Sequence, residues 1–153
     1  MKEQVVIYLI DKHSNQVYYL KKDHGPKHII NKLVGFGGEI EQQDVGDSYF
    51  DTILNGIKRE LREEVEEKTN TSLNLDKLQI IYQGKFITKE IIGHICKAEI
   101  EIKLPEGPIK EEGIGTYKPI NFHQTNSEEF PKNDLIWLDT LLFSENTINV
   151  DFR

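Results

Sequence analysis

The chain has 153 residues, of which 37% are hydrophobic and 29% charged. This composition is typical of a single globular domain that can bury one core, so we expect one domain over residues 1–153. Its 26 acidic and 19 basic residues give a net charge of −7, which argues against a nucleic-acid partner because such a surface needs a basic face. No segment approaches the roughly 20 apolar residues of a membrane-spanning helix, so no membrane partner is expected.

The cysteine content and the first residues indicate a compartment. Cys96 is the only cysteine, so no intramolecular disulfide can form, and a small buried hydrophobe is its simplest role. The apolar run Val5–Ile10 is too short for a secretion signal and no small-residue cleavage site follows it. The sequence therefore predicts a cytoplasmic protein.

The first 40 residues show strand patterns around a basic loop. Val5–Ile10 and Gln16–Leu20 are predicted strands joined by a polar turn. Residues 21–32 contain glycine, proline, lysine and histidine, which is typical of a loop. A short strand from Leu33 leads into the glycine-rich segment 35–38.

From Tyr49 to Lys68 the apolar residues recur at helical spacing and predict one long amphipathic helix, with Asn70 as its C-terminal cap. The residues of the apolar stripe are Phe50, Ile53, Leu54, Ile57, Leu61 and Val65.

The second half contains further strands and one more helix. Strands are predicted at 79–87, 91–103, 115–122 and 147–152, and a helix at 133–143. In the second of these strands, polar and apolar residues alternate, which predicts one buried face. We therefore predict an α+β fold, with a mixed β-sheet and a helix on each side.

The long helix carries a stripe of carboxylates. On a helical wheel Glu60, Glu63, Glu64 and Glu67 share an arc beside the apolar stripe. Like charges at i and i+4 are mildly destabilising, whereas Mg²⁺ or Mn²⁺ would neutralise them with oxygen ligands. The alternative is a solvated acidic face, held to neighbouring basic residues by surface ion pairs of small energy.

A glycine turn upstream favours the metal interpretation, because Gly37 and Gly38 allow the backbone to approach a ligand closely. Together with Arg59-Glu60-Leu61-Arg62-Glu63-Glu64, this segment resembles the signature of the Nudix hydrolases. The matched positions are Gly38, Arg59, Glu60, Leu61, Glu63 and Glu64. The flanks are similar to the MutT-like branch that hydrolyses oxidised purine nucleoside triphosphates, and the resemblance implies an α/β/α sandwich.

The resemblance also implies site residues. Mg²⁺ or Mn²⁺ would be held by Glu60, Glu63, Glu64 and the Gly38 carbonyl. Arg59 would orient the carboxylates. Because the loop before the helix is longer than usual in the family, the acidic partner of Arg59 is left open between Asp47 and Asp51. Glu112 is the expected general base, with Glu111 and Glu63 as alternatives.

Among the residues expected to contact the substrate, Lys22 in the basic loop would contact phosphate. The resemblance places Val34, Phe130, Asn133 and Asp134 near the base. An alternative role for Asn133 is that of helix N-cap, and Trp137 is expected in the core because leucines surround it on the same helix.

The expected activity is cleavage of a nucleoside triphosphate to a monophosphate and pyrophosphate, with oxidised purines such as 8-oxo-dGTP among the candidates. An ADP-ribose or nucleotide-sugar pyrophosphatase is the alternative within the family. A Nudix-fold binding module without turnover is the alternative from another class. The sequence leaves monomer and homodimer open.

Overall fold

The computed structural model describes all residues, 1–153, and its centre is a nine-stranded sheet. The strands are β1 (Lys2–Asp11), β2 (Gln16–Lys22), β3 (Leu33–Val34), β4 (Phe36–Glu39), β5 (Ile80–Ile87), β6 (Ile91–Ile100), β7 (Gly107–Ile109), β8 (Gly113–Pro119) and β9 (Ile148–Asp151). Seven strands follow the order β7-β8-β2-β1-β6-β5-β9, while β3 pairs with β2 and β4 with β1. The β1–β6 and β5–β9 pairs are parallel and the others antiparallel, which confirms a mixed sheet.

The predicted long helix forms but is not uniform. Helix α1 (Tyr49–Leu61) begins after Ser48, whose Oγ accepts the Asp51 N–H at 3.0 Å. A π-helical turn (Arg62–Glu66) and the short α2 (Glu67–Thr69) continue it. Asn70 ends the run in the left-handed conformation with φ 53°, which confirms its predicted capping position. The remaining helices are α3 (Phe122–Thr125) and α4 (Leu135–Phe143), and short 3₁₀ turns lie at Gln42–Asp44 and Ser127–Glu129.

Two apolar cores lie on opposite faces of the sheet. Alternation along β1 sends Val5, Ile7 and Leu9 to the core beneath α1, and Tyr8 and Ile10 to the core beneath α4. Ile57 and Leu61 of α1 complete the first core, and Trp137, Leu138 and Leu141 of α4 are in the second. A helix therefore packs on each side of the sheet, as predicted.

The prediction of a single buried face for β6 is wrong. This strand lies between β1 and β5, so helices cover both of its faces, and even His94 and Lys97 are only 1% and 7% exposed. The Lys97 ammonium donates to the carbonyls of Leu141 at 2.6 Å and Ser144 at 3.1 Å, at the C-terminal end of α4. A buried lysine thus satisfies carbonyls that the helix leaves free.

Two further predictions concern single residues. Cys96 is buried in the core, as expected, and burial raises the pKa of its thiol to about 12. The proposed N-cap role of Asn133 is wrong, because α4 has Asp134 at its N-cap position and Asn133 is exposed one residue earlier. No helix in the structure has the length and apolar character needed to cross a membrane.

Candidate active site

The glycine strand β4 brings the backbone against the acidic helix. A Cβ at Gly37 would lie 1.9 Å from the Val5 carbonyl oxygen on β1, so only glycine fits this antiparallel pair. A Cβ at Gly38 would lie 2.5 Å from Glu60 Oε1. Because Gly38 has no side chain, its backbone can lie directly against the Glu60 carboxylate.

The three glutamates of the motif have different environments. Glu60 is 5% exposed, and burial raises the pKa of its carboxyl group even though Arg59 lies beside it. Glu64 is partly buried, and its Oε2 has no hydrogen-bond partner. Glu63 is half-exposed and accepts a 3.0 Å bond from Arg59. The structure thus turns Glu63 towards Arg59, whereas Glu64 lines the adjoining cavity.

Arg59 is buried within a set of oxygen acceptors. Its Nε donates to Asp44 Oδ1 at 2.9 Å and one terminal nitrogen donates to Asp44 Oδ2 at 3.1 Å, a two-point pair. The same nitrogen donates to the Glu39 carbonyl at 2.8 Å, and the other lies 3.2 Å from Glu60. The hydrogen bond to Asp44 is the main cause that raises the Arg59 pKa above its ordinary value. These bonds tie the β4–α1 loop to the acidic helix.

Asp44 corrects the prediction that Asp47 or Asp51 pairs with Arg59. Asp44 is 2% exposed, whereas Asp47 and Asp51 are exposed on the approach to α1 and on its first turn. A local signal existed in Glu41-Gln-Gln-Asp44, because the Glu41 N–H donates to Asp44 at 2.8 Å in a capping-box arrangement. The partner of Arg59 therefore lies in this turn, and nearness in sequence to the helix was misleading.

A second carboxylate pair joins the helix to the β7–β8 turn. Burial and a hydrogen bond with Glu112 raise the pKa of Glu64 to about 8. Burial also acts to raise the pKa of Glu112, but hydrogen bonds with Glu64 and Lys68 outweigh it and lower that pKa. Burial and the shared hydrogen bond therefore move the two pKa values apart, that of Glu64 upwards and that of Glu112 downwards.

Of the two neighbouring glutamates on this turn, only Glu112 faces the cavity. Glu112 lines the cavity, while Glu111 is exposed and lies 3.8 Å from Lys68. Glu111 has a positive φ of 69°, which turns the chain sharply between the two residues.

A cavity of about 680 Å³ lies beside these carboxylates. Its lining includes the backbone of β4, Glu64 and Glu112, together with the aromatic side chains of Phe86, Trp137 and Phe152. The Phe86 and Trp137 rings are stacked with centroids 5.0 Å apart. The cavity thus presents acidic oxygens and flat apolar surfaces to one molecule.

Most predicted substrate contacts are brought together here. Lys22, Val34, Asn133 and Asp134 all line the cavity. Burial raises the pKa of Asp134 to about 7. Phe130 is the exception, because it is 2% exposed, does not line the cavity, and packs edge-on against Tyr19 with centroids 5.2 Å apart.

The sequence interpretation missed Phe86 and Phe152 and favoured the core over the cavity for Trp137. Trp137 is 3% exposed and belongs to the core, yet it also borders the cavity. Phe86 and Phe152 come from neighbouring strand ends, since β5 and β9 pair in parallel. Their strand patterns gave no sign of this meeting.

The oxygen atoms at this site suit a hard divalent cation. No three acidic, histidine or cysteine side chains are grouped closely enough to enclose an ion by themselves. Mg²⁺ does not need such a cage, because it commonly takes one or two carboxylates and completes its shell with water and substrate phosphate. The unpartnered Glu64 oxygen and the Glu60 carboxylate beside Gly38 fit that requirement.

The sequence matches no protein-family model and no curated protein. The fold, however, is similar to solved structures. A MutT protein from Bacillus halodurans has a TM-score of 0.65 at 20% identity, covering 97% of this chain and 87% of that one. A Nudix hydrolase from Nitrosomonas europaea has a TM-score of 0.63 at 11% identity, and the match covers 97% of this chain and 78% of that one. The dihydroneopterin triphosphate pyrophosphohydrolase of E. coli has a TM-score of 0.62 at 10% identity, and the match covers 92% of this chain and 94% of that one. The chain therefore has the fold of the Nudix hydrolases.

Proposed function

We propose that this protein hydrolyses a phosphoanhydride bond of a nucleoside triphosphate and releases a nucleoside monophosphate and pyrophosphate. The observation that carries the proposal is the cavity in which Glu64, Glu112 and the glycine strand lie beside Phe86, Trp137 and Asp134. Carboxylates that can hold a cation suit a polyphosphate, and stacked aromatic rings suit a base. The similarity to Nudix hydrolase structures supports the same reaction class.

We assign Mg²⁺ or Mn²⁺ to Glu60, Glu64 and the Gly38 carbonyl. When bound, such a cation supplies charge neutralisation of the polyphosphate and activation of a water molecule. The raised pKa values of Glu60 and Glu64 reflect buried carboxylates that lack sufficient counter-charge. Glu63 was expected among the ligands, but its bond to Arg59 favours a positioning role.

The residues of this chain would then divide the remaining tasks. Arg59 holds Glu60 and Glu63 in place, and Asp44 fixes Arg59. The lowered pKa of Glu112 favours its carboxylate form, which can accept a proton from the attacking water as the general base. Lys22 lies near enough to Glu112 to lower its pKa, and its ammonium can contact the phosphates.

Asp134 gives the cavity a polar group next to the aromatic rings. Its pKa of about 7 means that a substantial fraction is protonated in neutral solution and can donate a hydrogen bond to a base carbonyl. Val34 presents an apolar surface at the glycine strand. A donor beside aromatic rings suits a base that carries a carbonyl, so 8-oxo-dGTP is one candidate among the nucleoside triphosphates.

A panel of substrates tests the proposal. Purified protein with Mg²⁺ is incubated with the common nucleoside triphosphates, 8-oxo-dGTP, ADP-ribose and nucleotide sugars, while pyrophosphate and orthophosphate are measured separately. Pyrophosphate release from a triphosphate, at a kcat/KM above that for ADP-ribose and sugars, is the expected result. Faster cleavage of ADP-ribose or a nucleotide sugar would move the protein to that substrate class. Binding without any hydrolysis would identify a nucleotide-binding module.

A further inference from the structure

Lys68 lies outside the acidic motif but contacts the predicted base directly. Its Nζ donates to Glu112 Oε1 at 3.0 Å and to the Lys110 carbonyl at 2.8 Å. The Lys68 side chain is only 22% exposed, and that of Glu112 only 17%. Because both groups are largely removed from water, this ion pair is stronger than an ordinary surface pair.

The extension of the helix is what brings Lys68 to this place. The chain continues past Glu64 through the π-helical turn and α2. Glu66 Oε2 accepts the Leu73 N–H at 2.7 Å, and the Thr69 hydroxyl donates to the Val65 carbonyl at 2.7 Å, which fixes the extended end. A helix that ended directly after Glu64 would have no ammonium group at this position.

The turn that carries Glu112 receives a hydrogen bond from outside itself. Glu111 adopts φ 69°, which is uncommon for a residue with a side chain. Within the turn, the Glu112 N–H donates to the Ile109 carbonyl at 2.9 Å. The Lys68 bond to the Lys110 carbonyl adds a contact from a different element, 42 residues away in sequence.

We propose that Lys68 is a positioning residue that holds Glu112 and the β7–β8 turn against the acidic helix, and thereby sets the rate of the hydrolytic step. The inference rests on the proposed function for its effect on rate, but not for its effect on the turn. Lys68 does not line the cavity, so it acts through Glu112 and not on the substrate.

The kinetic test uses Lys68→Met, which keeps the length of the side chain but removes its charge, and Lys68→Arg, which keeps the charge. We expect Lys68→Met to lower kcat roughly tenfold with little change in KM. This is a part of the rate enhancement of about 10²–10⁴-fold that general-base catalysis provides. Lys68→Arg should recover much of the loss. Lys58→Met on α1 is the matched control, because Lys58 forms no ion pair in the structure, and it should leave kcat unchanged.

A double-mutant cycle separates positioning from a general effect on the fold. If Lys68 acts through Glu112, Lys68→Met should have no further effect on kcat in a Glu112→Gln background. Equal losses in both backgrounds, or full activity of Lys68→Met, would overturn the inference.

Hydrogen exchange of the metal-free protein provides a test without activity. In Lys68→Met the amides of residues 110–113 should exchange at least several-fold faster, while those of α1 remain unchanged. Unchanged exchange in 110–113 would overturn the inference even if the enzyme is active. Faster exchange there in a protein that hydrolyses no nucleotide would support the positioning of the turn and count against the proposed function alone.

Discussion

Replacement of Asp44 by alanine should destabilise the protein strongly. The Arg59 side chain is 7% exposed and that of Asp44 3% exposed, and three hydrogen bonds of 2.9, 3.1 and 3.2 Å join them. Removing the carboxylate leaves a buried guanidinium without its main partner, which costs about 3–5 kcal/mol in comparable buried pairs. Glu41, Glu60 and Glu63 still lie near Arg59, so the lower end of this range is expected.

The free energy of unfolding can be measured by urea denaturation with the fluorescence of Trp137, the only tryptophan, which is 3% exposed in the folded state. With a urea dependence of about 1–3 kcal/mol per M, the midpoint should fall by roughly 1–3 M. Asp44→Asn should lose less, because its amide oxygen still accepts a hydrogen bond, and it remains measurable if the alanine variant does not fold. Asp47→Ala is the control and should change stability by no more than about 0.5 kcal/mol. Equal, small losses for Asp44→Ala and Asp47→Ala would refute the assignment of Asp44 as the partner of Arg59.

Two further outcomes follow from the site. Gly38→Ala places a Cβ 2.5 Å from Glu60 Oε1 and should reduce turnover by roughly 100-fold, because that carboxylate is displaced. Gly56→Ala is the control and should keep its activity, since its Cβ meets nothing closer than 3.4 Å. Equal activities of the two variants in a nucleotide assay would contradict this expectation. Because burial raises the folded-state pKa of Asp134 from 3.8 to about 7, its contribution to stability is full below pH 4 and is lost as pH rises towards 7. Between pH 4 and 7 the free energy of unfolding, measured by urea titration, should therefore fall less for Asp134→Asn than for the wild type. Parallel pH profiles of the two proteins would show that Asp134 does not titrate in this range.

The sequence predicted those parts of the fold that depend on local periodicity. The strands of the first hairpin and the helix from Tyr49 appear where their apolar spacing indicated, and Asn70 ends the helical run. The alternation of β6 was a poorer guide, because burial on both faces depends on the position of a strand within the sheet. That position is set by the parallel pairing of β6 with β1, which no local pattern records.

The candidate site was predicted as far as it lies on one helix and one glycine strand. Glu60 and Glu64 could be recognised by their i,i+4 spacing and Gly38 by the glycine turn, and the structure brings Gly38 against Glu60. The partner of Arg59 could not be fixed, because it depends on how the intervening loop turns around Asp44.

Long-range contacts account for the other omissions. Lys68 and Glu112 are 44 residues apart, and their pairing requires both the helix extension and the β7–β8 turn. Phe86 and Phe152 meet only because the parallel β5–β9 pair carries both strands to the same side of the cavity. Phe130 was expected at the site because the resemblance implies an aromatic residue before the last helix, but it packs into the core against Tyr19.

The assignment of the metal site is tested by Mg²⁺-dependent pyrophosphate release from nucleoside triphosphates, measured for the wild type, Glu64→Gln and Glu67→Gln. Glu64 has the buried, unpartnered oxygen beside the cavity, whereas Glu67 is exposed on the same helical run. The wild type and Glu67→Gln should release pyrophosphate at similar rates. Glu64→Gln should remain folded but be at least roughly 100-fold slower, as when an enzyme loses a group that stabilises the transition state electrostatically. Hydrolysis that does not require a divalent cation, or that survives unchanged in Glu64→Gln, would contradict the assignment of this site.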